Sequence, residues 1–411
     1  MRKQKLLVQK FGGASLANAN QIQDIAKRVS QLHAGDYGLI IVVSAMGPST
    51  DNLIKLAYQV SPHPNRRELD MLISTGERVS MSLMSMAIND QQCKAISLTG
   101  SQAGVLTDDT HSSARIIDIK PIRIESELNK NNVVVIAGFQ GVSPQTKEIT
   151  TLGRGGSDTT AVALSAYFKA ERCEILKEVA GVYSADPNLI KDAVLIDRLH
   201  YLQLLDMTYW GAKVLHYRSV ELAYLLKVAL KIALAHDDGH DLSTTIDGEA
   251  AMFEQARILS VNSHKEVRWI EILKPDLNSA IQEFFSLLRV AALPTPQILD
   301  TEKRVSTYAV LVTAPTENLE AISQACLTSQ NVKFESTELS SVSVTCKGSF
   351  SSTLPDEICT HFSRKKINTH KLLLGAMSLS VLVDAKDRDR TIQSVHEMRD
   401  GSLTRDHDLP A

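Results

Sequence analysis

The run Leu39-Ile40-Ile41-Val42-Val43, closed by Ser44-Ala45-Met46-Gly47-Pro48-Ser49, is continuously apolar and then breaks sharply. A strand with no polar alternation is buried on both faces, which is the habit of parallel strands covered by helices. Working outward, Leu6-Leu7-Val8 reads as a second strand, and Gly12-Gly13 ends it. Between them, Ala19 to Leu32 carries Ile22, Ile25, Ala26 and Val29 at helical spacing. Arg78 to Ile88 repeats the helical pattern, and Val133 to Ala137 is a further buried-strand run, ended by Gly138-Phe139-Gln140-Gly141. Strands and helices in alternation predict a three-layer αβα domain on a mainly parallel open sheet. Its glycine-rich turns follow strand ends, where open α/β sheets bind ligands.

The rhythm changes after Gly248. Val267–Leu273, Tyr308–Val312, Ser340–Thr345 and Leu379–Val383 read as strands. Leu277–Val290, Leu319–Leu327, Asp356–Ser363 and Thr391–Met398 read as helices. Strand pairs alternating with single helices predict two ferredoxin-like α+β units in tandem. The polar stretch Asp237–Glu249 is read as the linker, giving domains at 1–240 and 250–411, and the polar tail Asp400–Ala411 as frayed.

The 411 residues, 44% hydrophobic and 22% charged, suffice for two or three domains with sizeable cores. A net charge of −3 gives no electrostatic ground for nucleic acid or an anionic membrane as partner. No apolar run reaches the roughly 18 residues of a membrane span, and the N-terminus lacks the apolar core of a signal peptide. Five scattered cysteines without C-x-x-C spacing fit a reducing cytoplasm.

Five segments carry possible chemistry. In Lys10-Phe11-Gly12-Gly13-Ala14-Ser15, adjacent glycines let backbone N–H groups approach an anion beside a mobile cation. Alone, it equally fits a plain strand-to-helix turn. Ser44-Ala45-Met46-Gly47 offers a hydroxyl and a glycine at a strand end, or a simple turn. Glu77, in Ser74-Thr75-Gly76-Glu77-Arg78, is ordinary helix-start chemistry or the acceptor for a substrate ammonium.

The most specific segment is Leu152-Gly153-Arg154-Gly155-Gly156-Ser157-Asp158-Thr159-Thr160, followed by the helical AVALSAYF. It places tight backbone turns, a helix N-terminus, an arginine able to grip a carboxylate and an aspartate able to orient a lysine or a metal within a few residues. The fifth segment, Gly181-Val182-Tyr183-Ser184-Ala185-Asp186-Pro187 with Gly211-Ala212-Lys213-Val214-Leu215-His216, offers a ring for adenine (Tyr183), an acceptor (Asp186) and a cation (Lys213). No G-x-x-x-x-G-K-[ST] loop, protein-kinase motif set, nucleophile elbow, HExxH or EF-hand loop is present.

In this order, the segments KFGGAS (from Lys10), VSAMG (Val43), STGERVS (Ser74), GFQG (Gly138), TLGRGGSDTTAVALS (Thr151), AGVYSADP (Ala180) and GAKVLHYRSVELA (Gly211) resemble the aspartate kinases of the amino-acid kinase superfamily. The motif match covers roughly the first 235 residues, and the C-terminal half is similar in length and in its rhythm of two ACT-type modules. The resemblance implies ATP-dependent phosphorylation of the side-chain carboxylate of L-aspartate, with Mg²⁺ on the nucleotide. That reaction opens aspartate-family amino-acid biosynthesis, including lysine and threonine. It also implies a homodimer or higher homo-oligomer through the C-terminal modules.

By the same resemblance, Lys10 stabilises the transferring phosphoryl group and Asp158 orients Lys10. Gly12, Gly13, Ser44 and Gly156 line the phosphate path, with Ser44, Gly156 and Ser157 beside the substrate. Glu77 takes the substrate ammonium and Arg154 its α-carboxylate. Tyr183, Asp186, Lys213 and the Lys177-Glu178 pair fall at the nucleotide. No residue is expected to be a dedicated metal ligand.

The sequence departs from the family at several points. Lys177-Glu178 replace Thr-Asp, Asn188 replaces an arginine, Tyr217 replaces a proline and Ala14 replaces a hydroxyl residue. These changes imply altered nucleotide affinity. They also leave open a non-catalytic regulatory subunit that binds aspartate or nucleotide. A kinase of another acidic amino acid is a further alternative, against which Glu77 argues when the amine is acetylated. Pro275-Asp276 and Leu354-Pro355-Asp356 fall where effector turns of ACT modules would lie, but lack the glycine, which weakens the family expectation of feedback inhibition by lysine or threonine and sets a structural, dimerising role on at least an equal footing.

Overall fold

The computed structural model describes residues 5–35, 37–62, 64–236, 242–249, 258–291, 293–348, 353–375 and 377–401, with the side chains of 400 and 401 excepted. Two compact units emerge. The first comprises residues 1–183, 195–208 and 213–251, the second 184–194, 209–212 and 252–411.

In the first unit the chain runs β1 Lys5–Phe11, α1 Ala19–Ala34, β2 Tyr37–Val43, α2 Ser49–Val60, α3 Arg66–Ile73, α4 Thr75–Asp90, β3 Ala95–Leu98, β4 Val105–Thr107 and β5 Ile116–Ile119. It continues through α5 Ile122–Asn129, β6 Val133–Ala137, β7 Gln140–Val142, β8 Ile149–Thr151, α6 Gly156–Phe168 and β9 Arg172–Lys177. It closes with β10 Arg198–His200, α7 Tyr201–Tyr209, α8 Tyr217–Leu226, β11 Leu230–Leu234 and β12 Ser243–Asp247. Eight strands form one sheet in the order β10-β12-β11-β9-β1-β2-β6-β3. Every pairing described in it is parallel except β11 with β12. The four short strands β5-β4-β7-β8 make a separate sheet, which the sequence pattern did not announce.

Strand periodicity sorts the side chains between the two helical layers. Leu7, Leu39, Ile41, Val43, Val133 and Val135 point to one face and pack with Ile22, Ile25 and Val29 of α1 and Met81, Met84 and Ile88 of α4. Val8, Ile40, Val42, Val134 and Ile136 are also fully buried, and α6 packs on β1, β2 and β9. Lys10 shares the parity of Val8, so its side chain rises on the α6 side. The expected linker needs correction at its C-terminal end. Residues 237–241 lie outside the described residues, but Ser243–Asp247 is a sheet strand with Thr244 and Ile246 fully buried. Its β-branched alternation outweighs its polarity.

The second unit contains β13 Ile258–Ile272, α9 Leu277–Val290, β14 Gln297–Lys303, β15 Tyr308–Thr313, α10 Thr316–Leu327, β16 Val332–Phe334, β17 Leu339–Cys346, α11 Leu354–Lys365, β18 Thr369–Leu374, β19 Ser378–Asp384 and α12 Arg388–Gly401. The two expected α+β modules are joined by one antiparallel sheet. The 15-residue strand β13 pairs with β17 through Ile258–Val267 and with β15 through Arg268–Ile272. Among the described residues, three apolar clusters hold this unit together. Ile270, Phe284, Val312 and Ile322 pack under α9 and α10, and Val342, Ile358, Phe362 and Val395 pack under α11 and α12. Trp269, Leu311, Leu339 and Leu382 join strands of both modules.

Residues 184–194 belong to this unit: Ala185 and Ile190 enter the α11/α12 core. The Ser184 carbonyl accepts from Val261 N–H at 2.7 Å, and Ser184 Oγ lies 3.1 Å from His396 Nε2. Asp276, in one of the two turns singled out in the sequence, caps α9 by accepting from Ser279 N–H at 3.0 Å and Ser279 Oγ at 2.7 Å. Pro355 sits in the first turn of α11, where its missing N–H costs nothing. Cys173, Cys326 and Cys346 are buried, as small apolar side chains are.

Candidate active site

Register builds the site. Phe11 lies opposite Val43 and Leu176, and Val43 opposite Ala137. The C-terminal ends of β2, β1, β9 and β6 therefore share one edge. β1 is also where strand order reverses, with β2 on one side and β9 on the other. This is the crevice position of open α/β folds. The turn after β1 is fixed by close approach: a Cβ on Gly13 would meet the Ala45 carbonyl oxygen at 2.6 Å. Gly47 N–H donates to Gly13 O at 2.9 Å, and Ser44 N–H to Phe11 O at 3.2 Å.

Lys10 Nζ and Asp158 Oδ1 are 2.6 Å apart, each side chain only 7% exposed. Two isolated buried charges would be costly, and their pairing offsets part of that cost. Asp158 stands in the first turn of α6, where the helix dipole also favours a carboxylate. Glu77, in the first turn of α4, is 3% exposed. Its Oε1 accepts from Ala45 N–H at 3.1 Å, while its Oε2 is buried with no hydrogen-bond partner. Burial raises the Glu77 pKa to about 7, against the opposing pull of its own and Ala45's N–H groups and of the Lys10 charge. Ser15 Oγ is likewise buried and unpartnered.

The loop before α6 begins at Leu152, whose N–H donates to Phe139 O at 2.9 Å. Gly155 has φ +71°, and a Cβ there would lie 2.2 Å from His216 Cβ. Gly156 is buried against Leu152 and Phe139, and a Cβ on Gly138 would meet Ser157 Cβ at 2.8 Å. The glycines thus let three backbone segments converge. Arg154 is exposed at the loop tip.

Lys177 ends β9, and its ammonium donates to the Val214 carbonyl. Burial lowers its pKa, an effect that Asp158 opposes and Lys10 adds to. The structure therefore brings Lys10, Asp158, Glu77, Lys177, Gly12, Gly13, Ser44, Gly156 and Ser157 to one sheet edge. Tyr183 is half-buried and bridges to Leu195, while Glu178 and Lys213 are exposed. Asp186 belongs to the second unit, where its carboxylate accepts from Asn188 N–H at 2.9 Å and Asn188 Nδ2 at 3.0 Å.

Sequence reasoning passed over His216. It caps α8 by accepting from Arg218 N–H at 3.3 Å, and burial, reinforced by Arg218, lowers its pKa. Its place at the end of GAKVLH was the available signal. Among the described residues no helix is long and apolar enough to cross a membrane.

Comparison with known proteins agrees with this geometry. Residues 5–233 match the amino acid kinase family. An aspartokinase of Geobacillus stearothermophilus is 35% identical over 396 residues, covering 95% of this chain and 96% of its own. One from Corynebacterium efficiens is 35% identical over 404 residues, covering 95% of each. Among solved structures, aspartokinase III of E. coli, in complex with aspartate and ADP, superposes with a TM-score of 0.76 over 96% of this chain and 99% of that one. At 19% identity it speaks for the fold alone. With a family match over more than half its length and full-length relatives of this kind, the chain belongs to the amino acid kinase family, among its aspartokinases.

Proposed function

We propose that this protein transfers the γ-phosphoryl group of ATP to the side-chain carboxylate of L-aspartate, giving 4-phospho-L-aspartate and ADP. The carrying observation is the buried Lys10–Asp158 pair beside a buried Glu77 whose second oxygen has no partner. A carboxylate is already a nucleophile and has no proton to lose. One of its oxygens bonds to Pγ, the bond from Pγ to the ADP oxygen breaks, and ADP leaves with that electron pair. Catalysis is then positioning and neutralisation of crowded negative charge.

Lys10 supplies the cation at the transferring group, and Asp158 fixes where that ammonium points. Gly12, Gly13, Ser44 and Gly156 line the phosphate path, with Ser157 beside them. The substrate ammonium completes the unpartnered oxygen of Glu77, and Arg154 takes the α-carboxylate as a bidentate partner. Tyr183 and Lys213 serve the nucleotide. Lys177 adds a cation on the nucleotide side, with Glu178 next to it in the chain.

Magnesium would be carried by the nucleotide and would supply positive charge against its phosphates. It prefers phosphate oxygens and water to all-protein cages, and among the described residues no three His, Cys, Asp or Glu gather to hold a metal. No step is assigned to it. We place catalysis in residues 1–240, homo-oligomer contacts in 250–411, and the protein in the cytoplasm.

The test is ATP- and Mg²⁺-dependent formation of aspartyl hydroxamate by the full chain. Lys10→Ala and Asp158→Ala are each expected to lower kcat by about 10²–10³-fold, the scale of losing one preorganised electrostatic group. A folded protein inert on aspartate, or variants as active as the parent, would overturn the reading.

A further inference from the structure

Asp70, on α3, is fully buried, and the reaction just described makes no use of it. No lysine or arginine pairs with it among the contacts described. Its carboxylate instead accepts from Thr151 Oγ1 at 2.6 Å, Thr151 N–H at 3.1 Å, Ser112 N–H at 3.0 Å and His111 Nδ1 at 2.8 Å. A carboxylate withdrawn from water and satisfied this way is a costly joint, and its cost is met only while those donors stay in place.

The two elements it joins are the informative part. α3 ends at Ile73 and α4, which carries Glu77, begins at Thr75. Thr151 ends β8, and Arg154 follows three residues later. Asp70 therefore ties the helix that leads directly into α4, which bears the proposed ammonium acceptor, to the loop bearing the proposed carboxylate acceptor. A second buried contact runs in parallel: Gln140 Nε2 donates to Ser74 O at 2.8 Å. From the other side, Arg218 of α8 donates to Leu152 O at 2.6 Å and to Ala114 O at 2.9 Å, and Ala114 N–H returns to Thr151 O at 2.9 Å. The root of the Arg154 loop is thus held between a buried anion and a half-buried cation, on the residues immediately before its glycines.

We propose that Asp70 is a positioning residue that, with Arg218 as its counterpart, sets the separation between the two ends of the amino-acid site and so governs aspartate affinity. The proposal rests on the assignment of Glu77 and Arg154 to the substrate. It makes no demand on Tyr183, Lys177 or Lys213, proposed for the nucleotide, which lie on other segments.

Thr151→Val is the decisive variant, because it is isosteric and removes one donor to Asp70. Asp70→Asn goes further but risks misfolding. Thr151→Val is expected to raise KM for aspartate about tenfold, the scale of one hydrogen bond to a charged group, with KM for ATP essentially unchanged. In the same variant, tryptic cleavage after the exposed Arg154 is expected to accelerate several-fold, since the loop root is loosened. An unchanged aspartate KM, or aspartate and ATP constants rising together, would overturn the proposal. So would an unchanged cleavage rate at Arg154. A wild-type protein inert on aspartate would instead overturn the assignment of function, and the cleavage rates would then still decide the clamp.

Discussion

Glu77 shows how one carboxyl group records the state of a whole site. Its folded-state pKa lies near 7, above the ordinary 4.5, because burial disfavours the charged form. The folded protein therefore holds a proton that the unfolded chain releases as pH rises above 4.5, so stability falls with pH up to about 7. The span is worth about 3 kcal/mol. Glu77→Gln lacks this penalty. Its stability relative to the parent is expected to rise by about that amount between acidic and mildly alkaline buffer, as read from denaturant midpoints. A gap independent of pH would show that Glu77 is not desolvated in solution. In the parent, KM for aspartate is expected to climb as pH falls below 7, because the protonated acid no longer attracts an ammonium.

Among elements, the turn into α6 carries the most strain-sensitive geometry. Gly155 combines a left-handed backbone with a Cβ position already filled by His216. Gly155→Ala is expected to cost about 2 kcal/mol or more and to displace the loop from His216. A denaturation midpoint equal to the parent's would show that the loop relaxes freely. This element was legible in the sequence because all its parts are local: glycines, Arg154 and Asp158 fall within six positions. Leu39–Val43 and Val133–Ala137 were legible for a similar reason, since continuous apolar runs announce strands covered on both faces. Strands of three or four residues, such as Val105–Thr107 and Ile149–Thr151, carry too few side chains for a period and exist through tertiary pairing. Ser243–Asp247 was hidden by its polarity. Asp70 was hidden by distance, because its partners are 41, 42 and 81 positions away and nothing local marks them.

At the scale of the molecule, the second unit behaves as one body because β13 runs through both of its modules. Trp269 sits at the joint, in a cluster with Leu311, Leu339 and Leu382. The Lys371 ammonium lies 5.0 Å and the Arg304 guanidinium 5.5 Å from its ring centre, within cation–π range. Trp269→Ala is expected to cost about 3–5 kcal/mol and to accelerate amide exchange in Tyr308–Thr313 and Ser378–Asp384 together. Exchange raised in one strand alone would mean that the modules open separately.

Residues 184–194 give this architecture a consequence for genetics and protein engineering. A scissile point near residue 250 looks natural on the gene, yet a product ending there would strand Ala185 and Ile190, whose core lies in the missing portion. Such a half-gene product is expected to accumulate in inclusion bodies, and supplying residues 252–411 as a separate polypeptide should rescue it by complementation. A soluble, catalytically competent 1–250 fragment would refute this. Otherwise the two halves of the gene are not interchangeable cassettes, and recombination between relatives would succeed only where both halves, or the 184–194 stitch with its own core, travel together.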